Sequence, residues 1–201
     1  MNPVTAKPLR IGVFGGTFDP PHVGHLVTAI NVGHILSLDR VFLMVNNVPW
    51  QKVGKRPITP AADRLAMVEA AVAGVPRLVA GDHEVRAGGE SYTAETLATL
   101  ADEFPGSELF LILGDDAAAG IHTWERAGEV LERATPVVVD RPGESAVIDE
   151  SIDWVHVEVP RLEVSSTDLR ARFADGRPLD YLVTDEVLAV VRQRNLYEAA
   201  E

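Results

Sequence analysis

Two short stretches of this chain hold residue types that could grip and activate phosphate. The first is GGTFDPPHVGH, residues 15–25, directly after the apolar run IGVF. Gly15 and Gly16 let backbone approach a ligand without Cβ interference, and N–H groups there can face phosphate oxygens. Pro20 and Pro21 stiffen the loop and delay the next helix until about Val23. His22 and His25 then lie at the positive end of that helix, three apart and on one face. A helix N-terminus attracts phosphate, and two imidazoles add donors. The plain alternative is a glycine turn with two surface histidines, against which the specificity of all eleven residues weighs.

The second stretch is VSSTDLR, residues 164–170. Ser165, Ser166 and Thr167 open a helix with unpaired backbone N–H groups and hydroxyls, and Arg170 follows one turn later. Arginine can hold two phosphate oxygens at once. Alone, the stretch reads as an ordinary Ser/Thr cap. Paired with the first, it is the other side of a clamp for a polyphosphate. A zinc reading of His22 and His25 lacks further ligands, and the chain has no cysteine.

The elements that must position these residues alternate. Apolar runs at 11–14, 40–45, 77–81, 108–114, 135–140 and 154–159 read as strands, the last near an edge. Helical patterns begin at Val23 and cover 62–74, 93–104 and the tail from about 166 to 196, the tail broken at Asp175-Gly176-Arg177-Pro178. Such alternation predicts an α/β fold: a Rossmann-like, doubly wound, mainly parallel sheet with helices on both faces and a helical C-terminal part. Ligands of such sheets bind beyond the carboxyl ends of the strands. The glycine stretch, Asn46-Asn47 and Gly114-Asp115-Asp116 all fall at that edge. No internal repeat appears, and Gly143-Glu144-Ser145 reads as a surface loop, so residues 1–201 are expected to form a single domain with the segment 166–201 packed on it.

Composition narrows the partners. The formal charge of −12 argues against a nucleic-acid surface. It leaves room for a nucleotide, which needs only a few local cations. No signal-like or membrane-spanning apolar stretch is present, so the expectation is a soluble cytoplasmic protein without a membrane partner. A homo-oligomer stays open.

These residues carry a resemblance. GGTFDPPHVGH is similar to the G-G-[TS]-F-D-P-x-H-x-G-H signature of the HxGH nucleotidylyltransferases, and VSSTDLR to their I-S-S-T-x-x-R signature. Within that superfamily the chain resembles the nicotinate-nucleotide adenylyltransferases nearly end to end: NNVPWQK (46–52), SYTAETL (91–97), LILGDD (111–116), HTW (122–124), DRPG (140–143) and RQRNLY (192–197) fall in family order. The resemblance implies transfer of AMP from ATP to nicotinate mononucleotide, with Mg²⁺ arriving on the ATP phosphates and no protein-built metal site. It implies that His22, His25 and Arg170 act on the phosphates, aided by Ser166 and Thr167. Gly15, Gly16, Thr17, Phe18, Gly114 and Asp116 would also meet ATP, Asp116 near ribose hydroxyls. Asn46, Tyr92, Thr93 and Trp124 would hold the mononucleotide, which Thr17 would touch as well, with Trp124 stacked on the pyridine ring. Helix capping for Asp116 and a core position for Trp124 remain open. Gln51 departs from the pattern, because many relatives carry histidine there; Lys52 is its neighbour.

Three other readings are weighed. A phosphopantetheine adenylyltransferase is shorter, typically has threonine at the position of His22, and lacks the SYT and TW segments. Nicotinamide mononucleotide could be the main acceptor, since acid and amide differ in contacts to backbone. A nucleotide sensor without turnover could lose both histidines and Arg170, and this chain keeps them.

Overall fold

The apolar runs pair side by side in the computed structural model, which describes residues 7–48, 57–140 and 148–197. Strands β1 (Arg10–Gly16), β2 (Arg40–Val45), β3 (Leu78–Gly81), β4 (Glu108–Gly114), β5 (Thr135–Asp140) and β6 (Val155–Glu158) form one sheet, ordered β3-β2-β1-β4-β5-β6. Every neighbouring pair is parallel. The doubly wound α/β fold read from the alternation is the fold observed, and β6 lies at an edge as expected. The strand order reverses between β1 and β4, where such sheets open a crevice.

Alternating side chains explain why the strands read as continuous apolar runs. Val41, Leu43 and Val45 of β2 enter one core, while Phe42 and Met44 enter the other. In β4, Phe110 and Ile112 face the first core and Leu109, Leu111 and Leu113 the second. With both faces covered, polar residues are left to the strand ends and to the edge strand β6. The first face is covered by α1 (Val23–Ile35), α2 (Ala61–Val72), α7 (Ser166–Asp175) and α8 (Asp185–Gln193). The second is covered by α4 (Thr93–Glu103), α5 (Asp115–Ala119), a 3₁₀ turn at Ile121–Thr123 and α6 (Ala127–Arg133). A short α3 (His83–Ala87) leads from β3 toward α4.

Some boundaries differ from the sequence reading. β1 continues through Gly15 and Gly16, because these pair with Met44 and Val45 of β2. The tail breaks over a longer stretch than one turn: α7 ends at Asp175, Gly176 adopts φ 74°, and α8 starts only at Asp185. Helices α3, α5 and α6 escape notice because five to seven residues show no helical period. Trp50, Gln51 and Lys52, and the loop at Gly143-Glu144-Ser145, lie outside the described residues. Among the described residues no helix is long and apolar enough to cross a membrane.

Candidate active site

The loop after β1 is shaped by its own side chains. Phe18 holds a left-handed backbone at φ 49°, a conformation that only surrounding structure sustains in a bulky residue. Its ring packs over Gly16, where a Cβ would come within 2.7 Å of it. The same ring meets His25 edge-on, centroids 4.9 Å apart. His22 is the extended N-cap of α1 and His25 its third helical residue. The two imidazoles stack, with centroids 3.7 Å apart and planes inclined by 23°. Gly24 permits this, since a Cβ there would sit 3.0 Å from both His22 Nδ1 and Val164 Cγ1.

Protonation follows from the contacts. The His22 N–H donates to His25 Nδ1 at 3.2 Å, so neutral His25 carries its proton on Nε2, as a donor. Burial pushes the pKa of His22 from 6.5 down to about 4. It is neutral at pH 7 and offers a hydrogen bond rather than a charge. Stacking so close would be costly for two imidazolium ions.

The second stretch docks on the first. Ser165 caps α7, its Oγ accepting from the Asp168 N–H at 3.2 Å. The Ser166 hydroxyl donates to the Pro20 carbonyl at 2.9 Å, and Arg170 Nη1 donates to the Asp19 carbonyl at 2.7 Å. Arg170 Nη2 also reaches Thr167 Oγ1 at 3.2 Å. Asp168, an acid in the same turn, is held below the usual carboxylate range by Arg172 and then Arg177. Asp19 is itself buried, and the Tyr197 hydroxyl donates to its Oδ1 at 2.7 Å. Burial, then the Asp19 charge, pushes the Tyr197 phenol upward, so it stays a protonated donor.

Between the two stretches runs a crevice of about 770 Å³. Gly16, Thr17, Phe18, His22 and His25 form one wall, and Ser166, Thr167 and Arg170 another. Gly114 and Asp116 line it from the end of β4. Asp116 is in the first turn of α5, whose N-cap is Gly114, so it is not the capping residue. Gly15 does not line the crevice; it is ladder-paired, and a Cβ there would meet open space.

Asn46, Tyr92, Thr93 and Trp124 do not line this crevice either. Asn46 follows β2, and Tyr92, Thr93 and Trp124 lie on the second face of the sheet. The Asn46 N–H donates to the Gly16 carbonyl at 3.1 Å, which holds the loops after β1 and β2 together. The next residue, Asn47, receives its anchor from Ser91: its N–H donates to Ser91 Oγ and its Nδ2 to the Gly89 carbonyl, each at 2.8 Å. Tyr92 is the N-cap of α4, with its hydroxyl on the Glu90 carboxylate, and Thr93 is the first helical residue. Trp124 is half-buried against the second core, just after the 3₁₀ turn. Arg126 bridges to Glu95 of α4 at 2.8 Å, and α4 packs on α6, so the Tyr92–Thr93 and Trp124 segments share one face of the sheet.

Arg64 escapes the motif reading, while Asp19, Asn47 and Ser91 fall inside quoted stretches without an assigned role. Arg64 had a signal. It sits on the buried stripe of α2 with Met67, Val68 and Ala71, at a spacing where an apolar residue belongs.

The fold, the paired imidazoles and the opposing helix N-terminus define a nucleotidyltransferase, and a cytidylyltransferase-like family model matches residues 13–172. Curated relatives narrow this. The chain is 42% identical over 194 residues to a Corynebacterium kroppenstedtii protein named "Probable nicotinate-nucleotide adenylyltransferase", covering 94% of this chain and 90% of the relative. It is 41% identical over 199 residues to another from Mycolicibacterium vanbaalenii, covering 94% and 92%. This chain belongs to the nicotinate-nucleotide adenylyltransferase family. The fold is shared with the Plasmodium falciparum nicotinic acid mononucleotide adenylyltransferase complexed with NaAD, at TM-score 0.75 and 17% identity, covering 94% of this chain and 97% of that one.

Proposed function

We propose that the protein transfers AMP from ATP to nicotinate mononucleotide, forming nicotinate adenine dinucleotide and pyrophosphate. The observation that carries the reading is the stacked His22–His25 pair facing the α7 N-terminus and Arg170 across one crevice. The mononucleotide phosphate oxygen attacks the α-phosphorus of ATP. A new P–O bond forms there as the α–β bridging bond breaks, and pyrophosphate leaves with the electron pair. The nucleophile arrives as part of the substrate, so the chain need only position and stabilise.

His25 Nε2 and neutral His22 donate to the α-phosphate region, where charge builds in the transition state. Arg170 and the N–H groups of Ser166 and Thr167 take the β and γ phosphates. Gly16, Thr17 and Phe18 shape the nucleotide side, Gly15 supports it from the strand end, and Gly114 and Asp116 lie toward the ribose. Asn46, Tyr92, Thr93 and Trp124 hold the mononucleotide, with the indole face against its pyridine ring. Among the described residues no three His, Asp or Glu side chains gather as a metal-ligand set. Imidazole, hydroxyl and guanidinium donors suit phosphate oxygens, and Mg²⁺ is best held by the triphosphate itself, as part of the substrate. A cytoplasmic site of action belongs to the same proposal, since both substrates are multiply charged anions.

Pyrophosphate release tests the reading, with purified protein, MgATP and either nicotinate or nicotinamide mononucleotide. Turnover favouring the acid is expected. No pyrophosphate with either acceptor would refute adenylyl transfer to a pyridine mononucleotide.

A further inference from the structure

Arg64 is among the largest fully buried side chains of the protein, at 1% exposure. Its guanidinium spends its donors on backbone carbonyls from three places in the chain. Nε donates to Thr59 at 2.8 Å, Nη1 to Thr17 at 2.9 Å and Asn46 at 2.7 Å, and Nη2 to Asn47 at 2.9 Å. Thr17 lies in the loop after β1, beside the phosphate crevice, and Asn46 and Asn47 in the loop after β2. One rigid, planar group therefore spans the two loops assigned to the two substrates.

A guanidinium is an expensive way to fill a helix stripe. Burying it costs desolvation that an apolar side chain of like volume avoids, so packing alone does not account for it. What an apolar side chain cannot supply is a fixed distance between two carbonyl-lined loops. The Asn46 N–H on the Gly16 carbonyl closes the same junction from the other side. We propose that Arg64 is a positioning residue: it fixes the nucleotide loop at Thr17 against the acceptor loop at Asn46–Asn47, and so aligns the attacking phosphate with the α-phosphorus. The inference rests on the adenylyl-transfer reading for its chemical consequence. Misplacement on the order of 1 Å can cost about a hundredfold in rate.

Arg64→Lys and Arg64→Met test this. Lysine keeps the charge, but its ammonium cannot reproduce the planar fork across four carbonyls. The lysine variant is expected to melt cooperatively and to lose at least about tenfold in kcat, with both KM values within about threefold of wild type. Hydrogen–deuterium exchange should rise in peptides covering residues 15–18 and 45–48 and stay unchanged in β4. The methionine variant should behave alike, with a larger loss. Wild-type kcat in the lysine variant would overturn the proposal. So would loosening that spreads through β4, or failure of both variants to fold, because Arg64 would then serve the whole fold. The exchange readout needs no turnover. If wild type makes no pyrophosphate, the substrate reading falls while the loop-fixing role is still judged by exchange.

Discussion

The two faces of the sheet treat their site residues differently. On the first face, residues 146 to 178 positions apart bond directly: Ser166 to Pro20, Arg170 to Asp19, and Tyr197 to Asp19. The imidazoles there are stacked, His22 is buried and His25 half-buried, and the His22 N–H sets the tautomer of His25. On the second face, Tyr92 and Thr93 take their places from the start of α4, and Trp124 from a short turn tied back by Arg126. The side proposed for the phosphates is thus organised in advance, as charge stabilisation demands. The side proposed for the acceptor has fewer constraints of its own and is proposed to take its position from the loops that Arg64 and Asn47 hold. Chemistry should be fragile on the first face, and substrate choice on the second.

The strongest way to break this contrast is His25→Ala. It removes the Nε2 donor and the ring that Phe18 and His22 enclose. The expected loss in kcat is about a hundredfold or more, with modest change in ATP affinity. Steady-state kinetics with varied ATP decide it. A normal kcat with only a raised KM would show that the pair binds the ground state alone.

His22 gives the next effect, seen in stability against pH. Its pKa lies at about 4 in the fold against 6.5 ordinarily, so the unfolded chain takes up the proton first as pH falls. The stabilisation is complete above pH 6.5, is lost progressively below it, and is gone below about 4. Its size is at most about 3.5 kcal/mol, at roughly 1.4 kcal/mol per pKa unit. Denaturant melts from pH 7 to 4 should therefore show a steeper loss in wild type than in His22→Asn. Parallel losses would mean that His22 is hydrated in solution and the phosphate wall less closed than described.

Much of this was legible in the sequence, for reasons particular residues make plain. The strands of the central sheet are buried on both faces, so their composition alone marks them. The two phosphate stretches are dense in residues that ordinary turns and caps do not require together. What could not be read was where sequence-distant groups meet. Nothing local to Ser166 points to Pro20, and nothing in NLY points to Asp19. The reason for Gly24 is equally nonlocal, because it includes Val164. Arg64 went unread although it left a local signal, a charge on an apolar stripe, because most of its partners lie far along the chain. Gly15 shows a second role: a glycine near a site suggests ligand approach, and this one also continues a strand ladder.

Acceptor choice sharpens the contrast from the other face. Donors arranged for a carboxylate leave an amide NH₂ mispaired, at about 1–3 kcal/mol per buried group. The ratio of kcat/KM for nicotinate over nicotinamide mononucleotide should be at least about tenfold and up to about a hundredfold. Trp124→Ala should weaken both acceptors alike, since stacking is blind to that difference, and leave ATP binding nearly intact. Equal turnover of the two acceptors would remove the acid-selective pocket without touching the phosphate chemistry. Loss of ATP binding in the Trp124 variant would mean the two faces do not divide the substrates.

Tyr197→Phe should give the smallest effect, and it tests how over-determined the phosphate side is. The substitution removes one donor from the buried Asp19 carboxylate and keeps the ring, which stacks on Phe173 with centroids 5.1 Å apart. A fully orphaned buried carboxylate would cost several kcal/mol. Asp19 keeps other interactions, so the cost should stay near that of one hydrogen bond to a charged group, about 1.5–3 kcal/mol. For a chain of this size that lowers Tm by about 2–4 °C per kcal/mol. The preference for the acid over the amide should not move, because Tyr197 reaches only the first face. A normal Tm would show that Asp19 does not depend on the C-terminal segment. A changed acid-to-amide ratio would show that strain on the phosphate wall reaches the acceptor side, and the division between the faces would then have to be abandoned.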